Sequence, residues 1–179
     1  MHQDGIEQRP LKMISGVTKE FGQVLFDGAR VSADNMVGAP GEGWKLAMTV
    51  VSHEREPSTL GFSARYGKLV RQLSSRVEGS PPEELAWAWV QTEMLRLHVR
   101  RRLSEQLDGL THGPQGGSLD KLLMTWVEQS VGHAALATVG TGDDELFGAY
   151  MYSRAQSVMG GTSQIQKNII ASRILGLGV

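Results

Sequence analysis

The chain has 179 residues, 18 Lys plus Arg against 19 Asp plus Glu, and no cysteine. That length allows one domain with a substantial core, or one domain plus part of a second. Near-neutral charge offers no attraction to nucleic acid or an anionic membrane, and the lack of cysteine excludes disulfides, thiolate catalysis and zinc–thiolate sites, which points to a reducing cytoplasm.

Met1-His2-Gln3-Asp4-Gly5 carries no basic stretch leading into an apolar one, so no signal peptide is expected. No apolar run approaches the ~20 residues needed to cross a bilayer. Phe21, Val24, Leu25 and Phe26 form a short apolar run that Asp27-Gly28 ends as a turn, and Ala29-Arg30-Val31 is a second short extended piece. So few strands cannot bury a face by themselves. Residues 1–40 are therefore expected to be the end of a β domain, or an arm laid on something else, and residues 41–179 a separate all-α unit.

From Trp44 the apolar spacing turns helical. Leu46, Val50 and Val51 begin a first helix that extends to about Val77, with Pro57 as a kink or break. Ser80-Pro81-Pro82-Glu83 predicts a capped start, with Ser80 at the N-cap and Glu83 closing a capping box, for a second helix ending near Leu107. On it Val90, Met94 and Leu97 share one face, and Leu95, Val99, Leu103 and Leu107 form a second row. Ser118 caps a third helix that ends near Gly140, with Leu119, Leu122, Leu123, Trp126 and Val127 on its apolar side. A turn at Thr141-Gly142-Asp143-Asp144 opens a fourth, from Glu145 to about Val158. Gly160-Gly161 breaks it, Ser163 and Gln166 form a second capping box, and Gly176 stops the last helix. Short loops between such helices predict an antiparallel bundle.

Arg96 and Arg100-Arg101-Arg102 are expected to be a solvated face or an inter-helix ion-pair set rather than a nucleic-acid site, since no aromatic residues interleave them. His2, His53, His98, His112 and His133 show no ligand spacing, so no metal site is expected. Trp87, Trp89 and Trp126 are expected in the core or between subunits.

Three segments, in order, resemble the acyl-CoA dehydrogenase superfamily. The first is Phe26-Asp27-Gly28-Ala29-Arg30-Val31 with Asn35-Met36-Val37-Gly38 and Gly41-Glu42-Gly43-Trp44. It is similar to the stretch where that family passes from its middle β domain into its C-terminal helices. The second is Glu54-Arg55, like the Glu-Arg pair of isovaleryl-type members. The third runs from Ser157 through Gly160-Gly161-Thr162-Ser163-Gln164-Ile165-Gln166 to Arg173-Ile174-Leu175-Gly176-Leu177, similar to the family's terminal signature beside the flavin.

The resemblance implies a fold, the family's C-terminal helical bundle, and a chemistry. A fatty acyl-CoA thioester is desaturated between its α and β carbons; a carboxylate takes the α proton, and hydride passes to FAD. It further implies that Gly160, Gly161, Thr162, Ser163 and Gln164 contact FAD, that acyl-CoA is the substrate, and that the bundle builds a homo- or hetero-oligomer. The structural counterpart is simpler: Thr162 and Ser163 as caps, the glycine pair as a helix breaker. Many members place the base where this chain has Gly160, which has no side chain to take a proton. Either Glu54 is the base, as in isovaleryl-type members, with Arg55 supporting it, or the site is silent and the chain is a non-catalytic partner. Both residues also suit an ordinary helix ion pair. An oxidase relative is a further option. Two family segments are degraded here, to Arg65-Tyr66-Gly67-Lys68 and Thr138-Val139-Gly140-Thr141-Gly142. With the upstream domains absent from these residues, the chain alone is expected to have little activity.

Overall fold

The computed structural model describes residues 3–16, 21–53, 58–110 and 116–178. Two short strands, β1 (Ile6–Pro10) and β2 (Gly22–Phe26), pair antiparallel with Ile6 opposite Phe26 and Pro10 opposite Gly22. β2 matches the expected apolar run; β1 was not anticipated, and Ala29-Arg30-Val31 is irregular rather than extended into a strand. Nearly all of this hairpin is exposed, Phe26 included. Without a buried face no alternation is imposed on Ile6-Glu7-Gln8-Arg9-Pro10, so nothing in its pattern announces a strand.

The remainder is helical: α1 (Gly43–His53), α2 (Ser58–Ser74), α3 (Glu83–Leu107), α4 (Gly116–Val139), α5 (Asp144–Ser153) and α6 (Ser163–Ile169). The expected first helix corresponds to α1 and α2, and the Pro57 break lies outside the described residues. α2, α3 and α4 pack on one another, and α5 and α6 lie against α4. Tyr66, Val70 and Leu73 from α2, Leu85, Ala88, Leu95 and Val99 from α3, and Val127, Val131, Ala134 and Ala135 from α4 form one buried cluster. Their spacings of three and four put each set on a single helix face. No helix among the described residues is long and apolar enough to cross a membrane.

Helix starts depart from expectation in informative ways. α3 begins at Glu83 with Pro82 at the N-cap, so Ser80 caps nothing and Glu83 closes no box. A residue followed by proline is driven to extended backbone, so neither Ser80 nor Pro81 can enter the helix. α4 already includes Gly116 and Gly117, so Ser118 lies inside the helix and is not its cap. At α5 the cap is Asp143, whose carboxylate accepts from the Leu146 N–H. The α-helix there stops at Ser153 and tightens into a 3-10 turn over Arg154–Ser157.

α3 and α4 each carry a second apolar face that their own bundle leaves uncovered. Trp87, Val90, Met94 and Leu97 form one exposed row on α3, and Trp126 and Leu119 are exposed on α4. Trp87 and Trp89 are both 54% exposed and Trp126 is 49% exposed, so none is core. Leu103 and Leu107 are likewise exposed, which leaves Leu95 and Val99 as the buried part of their row. The arginine cluster is built into ion pairs: Arg96 with Glu93, Arg101 with Glu105, and Arg102 across to Asp120 of α4.

Candidate functional site

The glycine-rich turn sits where the chain passes from the 3-10 segment into α6. Gly160 (φ 62°) and Gly161 (φ 93°) both occupy the left-handed region that side-chain-bearing residues avoid. Thr162 follows in extended conformation and is the N-cap of α6, its hydroxyl oxygen accepting from the Ile165 N–H at 3.2 Å. The expected capping box of Ser163 and Gln166 does not form. Gln166, with no exposed surface, donates instead through Nε2 to the Gly160 carbonyl at 2.9 Å and the Gly161 carbonyl at 3.4 Å. The two left-handed glycines curl their carbonyls back within its reach. Ser163 is half-buried and Gln164 exposed. Gly160 through Gln164 therefore come together on one turn, whereas Glu54 and Arg55 lie outside the described residues.

α4 holds the approach to this turn. Lys121, Thr125 and Gln129, spaced by four, face the end of α5 and the 3-10 segment. The Lys121 ammonium donates to the Gln156 carbonyl at 2.7 Å and the Gln129 amide to the Ser153 carbonyl at 3.3 Å, while the Thr125 hydroxyl has the Lys121 carbonyl at 2.9 Å as its nearer acceptor and the Gln156 carbonyl at 3.3 Å as the farther one. These contacts tie the end of α5 and the 3-10 segment to α4. A Cβ added to Gly160 would meet only the Lys121 Cε, at 4.0 Å. Space thus exists beside Gly160, but its backbone conformation disfavours any other residue.

Two buried polar groups escaped the sequence. Glu128 of α4 accepts a 2.9 Å hydrogen bond from the Tyr66 hydroxyl of α2. Burial pushes the Glu128 carboxyl up, opposed by the Tyr66 hydrogen bond and by Arg65. The Tyr66 hydroxyl is itself held protonated, first by burial and then by Glu128. At the start of α4, Asp120 meets His98 Nε2 at 2.6 Å and Arg102 at 3.3 Å. The signal was a polar residue at a core-facing spacing inside an apolar helix. The turn itself offers backbone, hydroxyls and close approach, but no group that titrates; it can seat a ligand and cannot abstract a proton.

In fold this is the helical bundle of flavin-dependent dehydrogenases. A solved FAD-dependent dehydrogenase superposes on 98% of this chain, using 51% of its own length, with a TM-score of 0.82 at 18% identity. An acyl-CoA dehydrogenase from Geobacillus kaustophilus does so over 97% of this chain and 50% of its own, with a TM-score of 0.79 at 19% identity. The chain belongs to the acyl-CoA dehydrogenase family: the model of that family's C-terminal domain matches residues 41–175. It is similar to the acyl-CoA dehydrogenase IpdE1 of Mycobacterium tuberculosis, 34% identical over 99% of this chain and 49% of that protein. The IpdE1 protein of Mycolicibacterium smegmatis is 32% identical over 99% of this chain and 47% of its own length. The chain thus spans about half the length of these curated relatives.

Proposed function

We propose that these residues form the C-terminal part of an acyl-CoA dehydrogenase that desaturates an acyl-CoA thioester between its α and β carbons. Residues 1–40 are the end of the middle β domain and residues 41–179 the helical domain. The observation carrying this reading is the glycine turn at 160–161, set within a domain of this family. Its bare backbone suits close approach by a large planar ligand, and the Gly161 and Thr162 N–H groups make no hydrogen bond among the described residues. These features fit FAD, held by Gly160, Gly161, Thr162, Ser163 and Gln164. Bound there, FAD supplies the acceptor for the hydride leaving the β carbon.

This chain's own part in the chemistry is proton transfer. Glu54 takes the α proton on its carboxylate, and Arg55 supports the carboxylate's position. A thioester α proton is only weakly acidic, so the base needs a water-poor pocket and an enolate held by hydrogen bonds. Gly160, lacking a side chain, leaves room for a base arriving from the helix side. A silent site in a non-catalytic partner subunit would draw on Gly160 and on the two degraded family segments, but a base at Glu54 accounts for Gly160 equally well.

The exposed apolar row on α3 with Trp126 fits a homo- or hetero-oligomer. Fatty acyl-CoA is the substrate class, and the cytoplasm fits a chain without cysteine. The 179 residues alone are expected to turn over little substrate, because the relatives are about twice as long. Anaerobic mixing of the protein containing this chain with an acyl-CoA tests the proposal. Bleaching of its flavin with release of an enoyl-CoA supports it; a purified protein without flavin refutes it.

A further inference from the structure

Gln166 has an arrangement that packing alone does not explain. It has no exposed surface, it sits among the first residues of α6, and its Nε2 donates to the Gly160 and Gly161 carbonyls. Its other amide atom, Oε1, is buried and accepts no hydrogen bond. Reversing the amide would set an acceptor against two carbonyl oxygens, so the donor side is fixed inward. A buried acceptor without a donor is uncommon in folded proteins. A residue kept only to fill space would be Leu or Met, which carry no such orphan.

The consequence lies in the peptide units. In a trans peptide the C=O and the N–H of one unit point in opposite directions. Gly160 C=O belongs with Gly161 N–H, and Gly161 C=O with Thr162 N–H. Drawing both carbonyls toward Gln166 therefore turns both N–H groups away from it. Neither N–H is used by another described residue. Lys121, donating to the Gln156 carbonyl, fixes the segment that leads into the turn.

We propose that Gln166 is the positioning residue of the flavin loop: by holding the Gly160 and Gly161 carbonyls inward, it presents the Gly161 and Thr162 N–H groups to the cofactor. This rests on the assignment of FAD to the Gly160–Gln164 turn. Gln166 itself need not touch the flavin.

The test uses the complete protein containing this chain and a Gln166→Met variant, which keeps the length of the side chain and removes both its donors and its orphan acceptor. Three quantities are compared: the FAD dissociation constant, hydrogen exchange over residues 158–168 in the FAD-free protein, and the melting temperature of that FAD-free protein. The expected result is FAD affinity lower by about tenfold, roughly one hydrogen bond's worth. Exchange at the Ile165 and Gln166 amides, both tied to Thr162, should accelerate while α3 and α4 stay unchanged, and the melting temperature should stay near that of the wild type. Restoring affinity with Gln166→Glu is not expected, because a carboxylate offers the carbonyls no donor. Unchanged exchange, or unchanged FAD affinity, overturns the proposal. So does a drop in melting temperature as large as that of the core variant Leu95→Ala, which would make the role structural. A wild-type protein that binds no FAD refutes the flavin assignment and this inference with it. That outcome is recognised because wild type and variant would then differ in exchange alone.

Discussion

The Lys121 ammonium reaches across from α4 and donates to the Gln156 carbonyl at 2.7 Å, inside the bundle. A buried ammonium is stable only when its donors are used. Hydrogen bonds to charged groups contribute about 1.5–3 kcal/mol, so Lys121→Met should lower unfolding stability by about 2 kcal/mol. Thr125→Val, which removes a neutral donor shared between the Lys121 carbonyl at 2.9 Å and the Gln156 carbonyl at 3.3 Å, should cost about 1 kcal/mol. Denaturant midpoints of the two variants check the ranking. Equal midpoints would show that Lys121 does not anchor the 3-10 segment.

Gly160→Ala probes the left-handed turn. An L residue at φ 62° is strained by about 1 kcal/mol. Space for the methyl exists, since the nearest atom is the Lys121 Cε at 4.0 Å. The variant should therefore fold, melt slightly lower and retain its helix content by circular dichroism. Loss of folding altogether would show that the space is not there.

Glu128 gives a pH signature. Its folded-state carboxyl is raised above the ordinary value of 4.5, chiefly by burial. The folded state therefore holds this proton more tightly than the unfolded state does. The stability it contributes is full below pH 4.5 and is lost as pH rises through the raised folded value. Glu128→Gln keeps an acceptor for the Tyr66 hydroxyl and removes the ionisation. The stability of the variant relative to wild type should increase as pH rises from about 4.5 through the raised folded value. Thermal melts of both proteins across that range check the sign. A constant difference would mean that Glu128 ionises no differently in the folded and unfolded states.

The exposed row on α3 predicts association. Trp87 and Met94 are each more than half exposed on it. If the protein containing this chain associates through this row, placing a charge there, as in Trp87→Asp, should weaken that association without unfolding the monomer, because the buried cluster of α2, α3 and α4 is untouched. Sedimentation velocity distinguishes the two states. An unchanged sedimentation coefficient would place the contact surface elsewhere.

The bundle was legible because helix-forming periodicity survives in α3 and α4, whose Leu95, Val99, Leu122 and Val127 face inward. Their second apolar faces were equally visible, but periodicity records only that a face is apolar and not whether its own chain covers it. Trp87, Trp89 and Trp126 show the difference. The β1 strand left no trace because nothing buries it. Start signals misled wherever two devices competed: Pro82 overrode Ser80, and the glycine carbonyls drew Gln166 away from Ser163. The glycine pair was legible as a helix breaker, and its link to a flavin came only from family resemblance. Lys121, Thr125 and Gln129 could have been found without it, as a polar stripe at spacing four along an otherwise apolar helix.

Because Gly160 carries no side chain, Glu54 is proposed as the base. The direct measurement is anaerobic flavin reduction by an acyl-CoA in the complete protein containing this chain, wild type against Glu54→Gln. Both should bind FAD stoichiometrically, the wild type should bleach on mixing, and Glu54→Gln should slow bleaching by about a hundredfold or more, the typical contribution of a positioned general base. Equal bleaching rates would contradict that role and move the base to another residue.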